Sequence, residues 1–293
     1  MRRSWVWLLA GCGMENGFLP PHQTEVFYQS PDEQVDILFV VDDSGSMAEE
    51  QAALAAGFST FLAELEASST AYRIALVSTS QDASDLDRTE FVGDPPVLNP
   101  TTDTVALFQE RVILGVKGSD HEKGLQAAAD ALDANPGFLR SGANLVVLFV
   151  TDEDDCSDEG RLDGLDADHC YLDAHRLTPV PDLVRRISRS KREGETVRLG
   201  GILGPLDGSC PAAYAGKRYV EAIAELRGPL TKICDPDWNP LLQDLGAVAV
   251  GVVDRFVLTR PADESTLEVR VDGVDVYPDP IDGWTYDAIG SAV

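Results

Sequence analysis

The sequence predicts an α/β fold, a doubly wound and mostly parallel sheet followed by a small C-terminal antiparallel β appendage. Three observations predict it. Short, continuous apolar runs at residues 36–42, 72–79, 145–150 and 197–203 are rich in β-branched residues and too short for helices, as buried parallel strands are. Segments of helical period lie between them, giving the strand–helix alternation of such a sheet. From about Phe256 the period changes to two.

The elements follow in order. Residues 36–42 are the first strand, which ends in Asp42 and runs on into Asp43-Ser44-Gly45-Ser46-Met47. A helix is expected from Met47 to Ala67, because Leu54, Phe58, Phe61, Leu62 and Leu65 fall on one stripe. Tyr72 to Thr79 is the second strand. The polar segment 80–100, with Gly93-Asp94-Pro95-Pro96, reads as a loop or hairpin. Thr101 or Thr102 is suited to cap a helix running to about Leu114. A further helix spans about His121 to Asn135, ended by Asn135-Pro136-Gly137. Leu145 to Val150 is the most hydrophobic strand and runs into Thr151-Asp152. Residues 153–177 read as a polar loop. Val180, Leu183, Val184 and Ile187 mark a helix, and Val197 to Leu203 the fourth strand. Residues 204–216 form a loop, followed by a short helix through Tyr219, Val220, Ile223 and Leu226. Pro240 to Ala249 is the last helix. Beyond it, Leu267 to Val274 alternates apolar and polar residues and turns at Asp272-Gly273, and Gly283-Trp284-Thr285-Tyr286 is strand-like. The chain stops soon after, so an incomplete appendage is expected.

The chain has 293 residues, of which 44% are hydrophobic, enough for one large domain with additions. Fifty acidic residues against 23 basic ones give a net charge of −27. That balance argues against a nucleic-acid partner, which requires clustered Lys and Arg, and suits a surface that attracts cations.

Met1-Arg2-Arg3, the apolar Ser4 to Ala10 and then Leu9-Ala10-Gly11-Cys12 resemble a bacterial lipoprotein signal, with Cys12 as the lipidated residue. The apolar run lies at the short end for a leader, which a longer leader upstream would explain. This resemblance implies a signal peptide over 1–12, a linker over 13–34, and a bacterial envelope protein held at the outer membrane by acyl chains alone, on its periplasmic or surface face. No run of about 18 apolar residues is present to span a membrane. Cys156, Cys170, Cys210 and Cys234 suit two disulfides in an exported protein. Cys156–Cys170 and Cys210–Cys234 are the favoured pairs, each bounding a Gly/Asp-rich excursion, although four cysteines allow three pairings.

The chemistry is concentrated where two strands end. Asp42, Ser44 and Ser46 set three hard oxygen donors on one turn, and Asp152 follows the most hydrophobic strand. In open α/β sheets ligands bind beyond the carboxyl ends of the strands, so both aspartates are placed in one site. Oxygen donors suit Mg²⁺, Mn²⁺ or Ca²⁺. The plain alternative is that Asp42 to Ser46 merely cap the helix beginning at Met47.

With these features together, residues 35–255 resemble the von Willebrand factor A (VWA) domain family and its metal-ion-dependent adhesion site. Asp42, Ser44 and Ser46 match its Asp-x-Ser-x-Ser motif, and Asp152 matches the aspartate after the central strand. Ser119 stands where the family usually has a threonine. The resemblance implies a Mg²⁺ (or Mn²⁺ or Ca²⁺) ion held by Asp42, Ser44, Ser46, Ser119 and Asp152, with Thr151 and Asp43 in support. It also implies a vacant coordination position filled by a carboxylate of a protein partner. The run Asp152 to Glu159 departs from the family's Asp-Gly. It suggests either a second Ca²⁺ site or an exposed acidic loop. Cys156, His169, Cys170 and His175 offer a zinc alternative, at a spacing that fits no familiar zinc pattern.

Three functions are consistent with these residues. One is a lipid-anchored binding protein that grips an acidic residue through the ion, without enzymatic activity. The second is a Mg²⁺-dependent hydrolase, which lacks support from any Asp-x-Asp pair, phosphate loop or Gly-x-Ser-x-Gly elbow. The third is a structural envelope protein that needs no metal.

Overall fold

The computed structural model describes residues 24–26, 34–68, 70–81, 89–119, 121–192, 195–226, 228–249, 256, 258–271, 273–279, 283–287 and 293. The lipidation candidate Cys12 and most of the predicted linker lie outside these residues. The chain divides into two compact units, Gln29–Asp254 and a second made of Met1–Tyr28 with Arg255–Val293.

The larger unit is the predicted doubly wound sheet. Its five strands, β1 (Gln34–Val41), β2 (Ala71–Ser78), β3 (Asn144–Thr151), β4 (Val197–Leu203) and β5 (Leu230–Lys232), are ordered β2-β1-β3-β4-β5. Every neighbouring pair is parallel. The order means that the chain winds one way from β1 to β2 and the other way from β3 onward. The winding therefore reverses between β1 and β3, the place where open α/β sheets leave a crevice at their carboxyl ends.

Alternation along β1 divides the core into two layers. Val35, Ile37, Phe39 and Val41 face one cluster, with Phe58, Phe61 and Leu65 of α1 (Ala48–Ala67), Phe108 of α2 (Thr104–Arg111) and Leu242 and Leu245 of α7 (Asn239–Ala249). Leu38 and Val40 face the other, with Leu125 and Leu132 of α3 (Gly124–Ala134), Leu183 and Ile187 of α5 (Val180–Ser188) and Tyr219 and Ile223 of α6 (Lys217–Leu226). Phe39 meets Phe61 and Phe108 edge to face at 5.4 and 4.9 Å between centroids, which fixes α1 and α2 over the sheet.

At the amino end of the strands, Asp36 is fully buried in this interior and carries its own partners. Arg140 donates to it from its amide and its Nε, both at 2.7 Å, and Lys191 Nζ donates at 3.0 Å. A buried carboxylate is tolerated because both of its oxygens are satisfied.

Some expectations are refined. α2 begins after Asp103, not Thr101 or Thr102, and Asp103 accepts from the amide of Ala106. Among the described residues, the loop around residues 80–100 adds one isolated bridge to the edge strand, Leu98 pairing antiparallel with Ile74. The polar stretch 153–177 contains a short helix, α4 (His169–Leu172), and a 3-10 turn over Ala174–Arg176. β5 is absent from the sequence prediction, because three residues at a sheet edge are too few to carry a periodic signal.

In the smaller unit, β6 (Val269–Val271) and β7 (Val274–Val276) form the predicted antiparallel hairpin, and Trp284 bridges Pro278. Residues 24–26 belong here as well: the carboxylate of Glu25 accepts from the amide of Thr259 at 3.0 Å and from its hydroxyl at 2.6 Å. A pure linker over 13–34 does not anticipate that pairing.

Candidate cation site at the carboxyl end of the sheet

β1 delivers Asp42 to the reversal point, where its amide still donates to Val150 O of β3 at 3.0 Å. The chain then turns over residues 43–47, and the Asp42 carboxylate folds back into the turn. Its Oδ1 accepts from the Ser44 amide at 2.7 Å, and its Oδ2 from the Thr151 hydroxyl at 2.5 Å. Each oxygen keeps lone-pair capacity beyond these bonds. Buried Gln51 of α1 holds the same turn: its Nε2 donates to Asp42 O and to Gly115 O, both at 2.9 Å, while its Oε1 accepts from the Gly115 amide at 3.2 Å.

The hydroxyls of the turn do not cap the helix. The residue at the start of α1 is Met47, whose side chain makes no cap bond. Instead Ser46 Oγ donates to Asp152 Oδ1 at 3.1 Å, across 106 positions of sequence, and lies 3.3 Å from Ser44 Oγ. The helix-cap alternative is thereby set aside, and Asp42, Ser44, Ser46 and Asp152 stand together. Ser119 is placed differently. Its amide donates to Ser80 Oγ at 2.8 Å, that hydroxyl donates to Asp43 Oδ1 at 2.8 Å, and Ser119 Oγ accepts from the His121 amide at 3.0 Å. Among the described residues its hydrogen bonds run to Ser80 and His121, not to the other four. Asp43 also accepts from Ser78 Oγ at 2.6 Å, and its carbonyl from the Gly118 amide at 2.8 Å. It ties the loop of Ser119 to the turn, the supporting role expected of it.

The carboxylates here are electrostatically crowded. Burial, reinforced by the charge of Asp152, pushes Asp42 up to about 6. Burial also raises Asp152, and it raises Glu50, to which Asp152 adds. Glu122 was not singled out from sequence. It is fully buried at the start of α3, accepts from the Thr79 hydroxyl, and keeps Oε1 without a hydrogen-bond partner. Burial and then the neighbouring Asp42 hold it well above the usual carboxylate range. A divalent ion is the natural remedy for such a concentration of negative charge.

The donor set fits a hard divalent cation. Ligand oxygens at 2.0–2.1 Å around an octahedral ion lie about 3 Å from one another. The contacts of Ser46 Oγ with Ser44 Oγ and Asp152 Oδ1, at 3.3 and 3.1 Å, are close to that spacing. Only two carboxylates belong to this set. Among the described residues no three His, Cys, Asp or Glu side chains form a group suited to hold a metal, so the hydroxyls are essential to the fit.

The acidic run after Asp152 is not the exposed loop that its composition suggests, because part of it is drawn into the interior. Asp155 and Asp158 are buried. Asp155 Oδ1 accepts from the Leu125 amide at 3.0 Å, and Ser157 Oγ from the Gln126 amide at 2.9 Å. With Tyr219 Oη accepting from Gly124 N at 3.1 Å, they satisfy the first amides of α3. Arg218 pairs with Asp155 at 3.0 Å and buried Lys123 with Asp158 at 2.8 Å. Cys156 is bonded to Cys170 and Cys210 to Cys234, the favoured pairing, so no thiolate remains for zinc. Each disulfide-bounded segment is bonded to this end of the sheet: Tyr214 N donates to Asp152 O at 2.7 Å, and Cys156 N to Glu122 O at 2.6 Å. Disulfides of this kind mark the protein as extracytoplasmic. Among the described residues no helix is long and apolar enough to cross a membrane.

No family model matches the chain, and no curated protein does. Solved structures do. Proximal thread matrix protein 1 from the mussel byssus is 16% identical, with a TM-score of 0.39, over 75% of this chain and 48% of that one. The pilus adhesin SpaC from Lactobacillus rhamnosus GG, in its open conformation, is 15% identical, with a TM-score of 0.40, over 76% of this chain and 30% of that one. This chain thus spans about half of the first protein and about a third of the second. Likenesses of this degree leave the functional argument to the site itself.

Proposed function

We propose that this protein is an exported binding module of the VWA type. A divalent cation, Mg²⁺ or alternatively Mn²⁺ or Ca²⁺, is held by Ser44, Ser46 and Asp152, with Asp42 acting directly or through water. Ser119 is the fifth donor of this reading and would have to exchange its bond from the His121 amide for the ion. When bound, the ion supplies an electrophilic centre that a carboxylate from a protein partner completes. The residues around it orient the donors and keep the turn rigid. The reading is one of binding, in which these hydroxyls and carboxylates serve as donors to the ion. The lipobox resemblance at Cys12 adds an acyl tether at the bacterial outer membrane to this reading.

The observation that carries the proposal is the direction of the two hydroxyls. Ser44 and Ser46 lie just before α1, yet their hydroxyls lead to each other and to Asp152, which follows β3. A purely structural turn gains more from capping, worth about 1 kcal/mol. The test is calorimetric titration of the full chain with MgCl₂ and MnCl₂. Wild type should take up one ion, and Asp152→Ala and Ser46→Ala should lower its affinity at least about tenfold, about 1.4 kcal/mol. Unchanged uptake in both variants, or no uptake by wild type, overturns the proposal. In parallel, protein capture from envelope extract should require Mg²⁺ and disappear with EDTA.

A further inference from the structure

Beside the cation site lies an open cavity of about 370 Å³ lined by Asp43, Leu114, Gly115, Val116, Lys117 and Gly118. Its position is fixed by the turn itself, since Asp43 follows Asp42 directly and forms one wall. The opposite wall is held in place at both ends. Gln51 clasps Gly115 through the two amide bonds described above, and the Gly118 amide is bonded to Asp43 O. Gly118 is required for so close an approach, because a Cβ there would stand 2.3 Å from Asp43 Oδ1 and 2.7 Å from Ser80 Oγ. Leu114 and Val116 supply apolar lining, and Val116 is 40% exposed. Leu114 packs on its inner side against the core layer of α1 and α2, whereas Val116 presents its apolar surface to the crevice.

Lys117 stands in the same lining. In a chain with 50 acidic residues it makes no ion pair among the described residues. An uncommitted ammonium at this mouth complements a negatively charged visitor and is misplaced for a basic one. We infer that the cavity receives an apolar side chain adjacent in sequence to the carboxylate that completes the cation, and that Lys117 favours acidic segments of the partner. The occupant is thus a protein segment in which an aspartate or glutamate neighbours a leucine-sized residue. This inference rests on the cation-bridged reading above and assigns its specificity.

The probes are acetylated, amidated tetrapeptides, Gly-Asp-Leu-Gly and Gly-Leu-Asp-Gly, against Gly-Asp-Ser-Gly and Gly-Ser-Asp-Gly. Binding to the full chain is followed by amide chemical shifts in MgCl₂ and in EDTA. At least one leucine peptide should bind about tenfold more tightly than its serine counterpart, as expected for part-burial of one such side chain. Shifts should centre on residues 114–118. Val116→Ser should erase that preference without altering Mg²⁺ uptake, and Lys117→Gln should weaken all four peptides alike. Equal binding of leucine and serine peptides, or no binding by any peptide while Mg²⁺ is taken up, overturns the pocket and leaves the cation site standing. Failure of Mg²⁺ uptake overturns the parent reading, and this inference with it.

Discussion

Asp42 shows at the scale of one residue how a buried carboxylate works against its own fold. Its carboxyl is held near 6 in the folded chain, against an ordinary value of 3.8, because burial disfavours its charge. Between those values the folded state holds the proton that the unfolded state has released. Stability of the metal-free protein should therefore fall as pH rises from about 4 through 6, by about 3 kcal/mol from this group. Asp42→Asn preserves an acceptor oxygen and removes the charge. The metal-free variant should melt at or above the wild-type temperature at pH 7, with a flatter pH dependence between 4 and 7, while losing the ion. Thermal melts with EDTA across that range check the sign. A variant that is destabilised at pH 7 and equally pH-dependent would show that Asp42 is not the strained group. The sequence made Asp42, Ser44, Ser46 and Asp152 legible because a short motif and a strand end each carry a local pattern. Glu122 carried none: its burial beside Thr79 arises from the packing of α3 against β2, and one acidic residue in a loop gives no sign of that.

At the scale of elements, α3 and the loop before it depend on partners from distant parts of the chain. Its first amides are met by Tyr219, Asp155 and Ser157, two of which belong to the acidic run after β3. From sequence that run reads as solvated charge, because nothing local reveals that a helix terminus, Arg218 and Lys123 converge on it. Asp155→Ala would leave Arg218 without its carboxylate and Leu125 N without its acceptor. A loss of about 3 kcal/mol is expected in denaturant unfolding, the cost typical of breaking a buried pair. Gly118→Ala tests the adjoining loop. Its Cβ would collide with an Asp43 carboxylate pinned by Ser78 and Ser80, which cannot swing aside freely. A cost of about 1–3 kcal/mol is expected, with weakened Mg²⁺ uptake as the turn is displaced. The helices themselves were legible where a stripe of apolar residues marks them. Gln51 lies on the stripe of α1, and its buried position is what allows a polar side chain to fasten the 114–118 loop.

For the whole molecule, the alternation of apolar runs and amphipathic segments was enough to specify two helical layers around a parallel sheet. Spatial order was not in that pattern: the reversal between β1 and β3 comes from the way the chain crosses over, and it creates the site. The two disulfides brace this end of the sheet, because each bounds a segment bonded to Asp152 or Glu122. Closing a loop of about 15 residues is worth about 3 kcal/mol in the chain-entropy model. The Cys156→Ser/Cys170→Ser variant should lose about that much in chemical unfolding. It should also bind Mg²⁺ more weakly than wild type under conditions where both remain folded.

The other pole of the sheet carries a different message. There Asp36, Arg140 and Lys191 satisfy one another, and the polypeptide enters β1 through Gln34 at that same pole. The entry of β1 at Gln34 and the pair Asp42 and Asp152 therefore stand at opposite ends of one sheet, so a change made at either end can be read without touching the other.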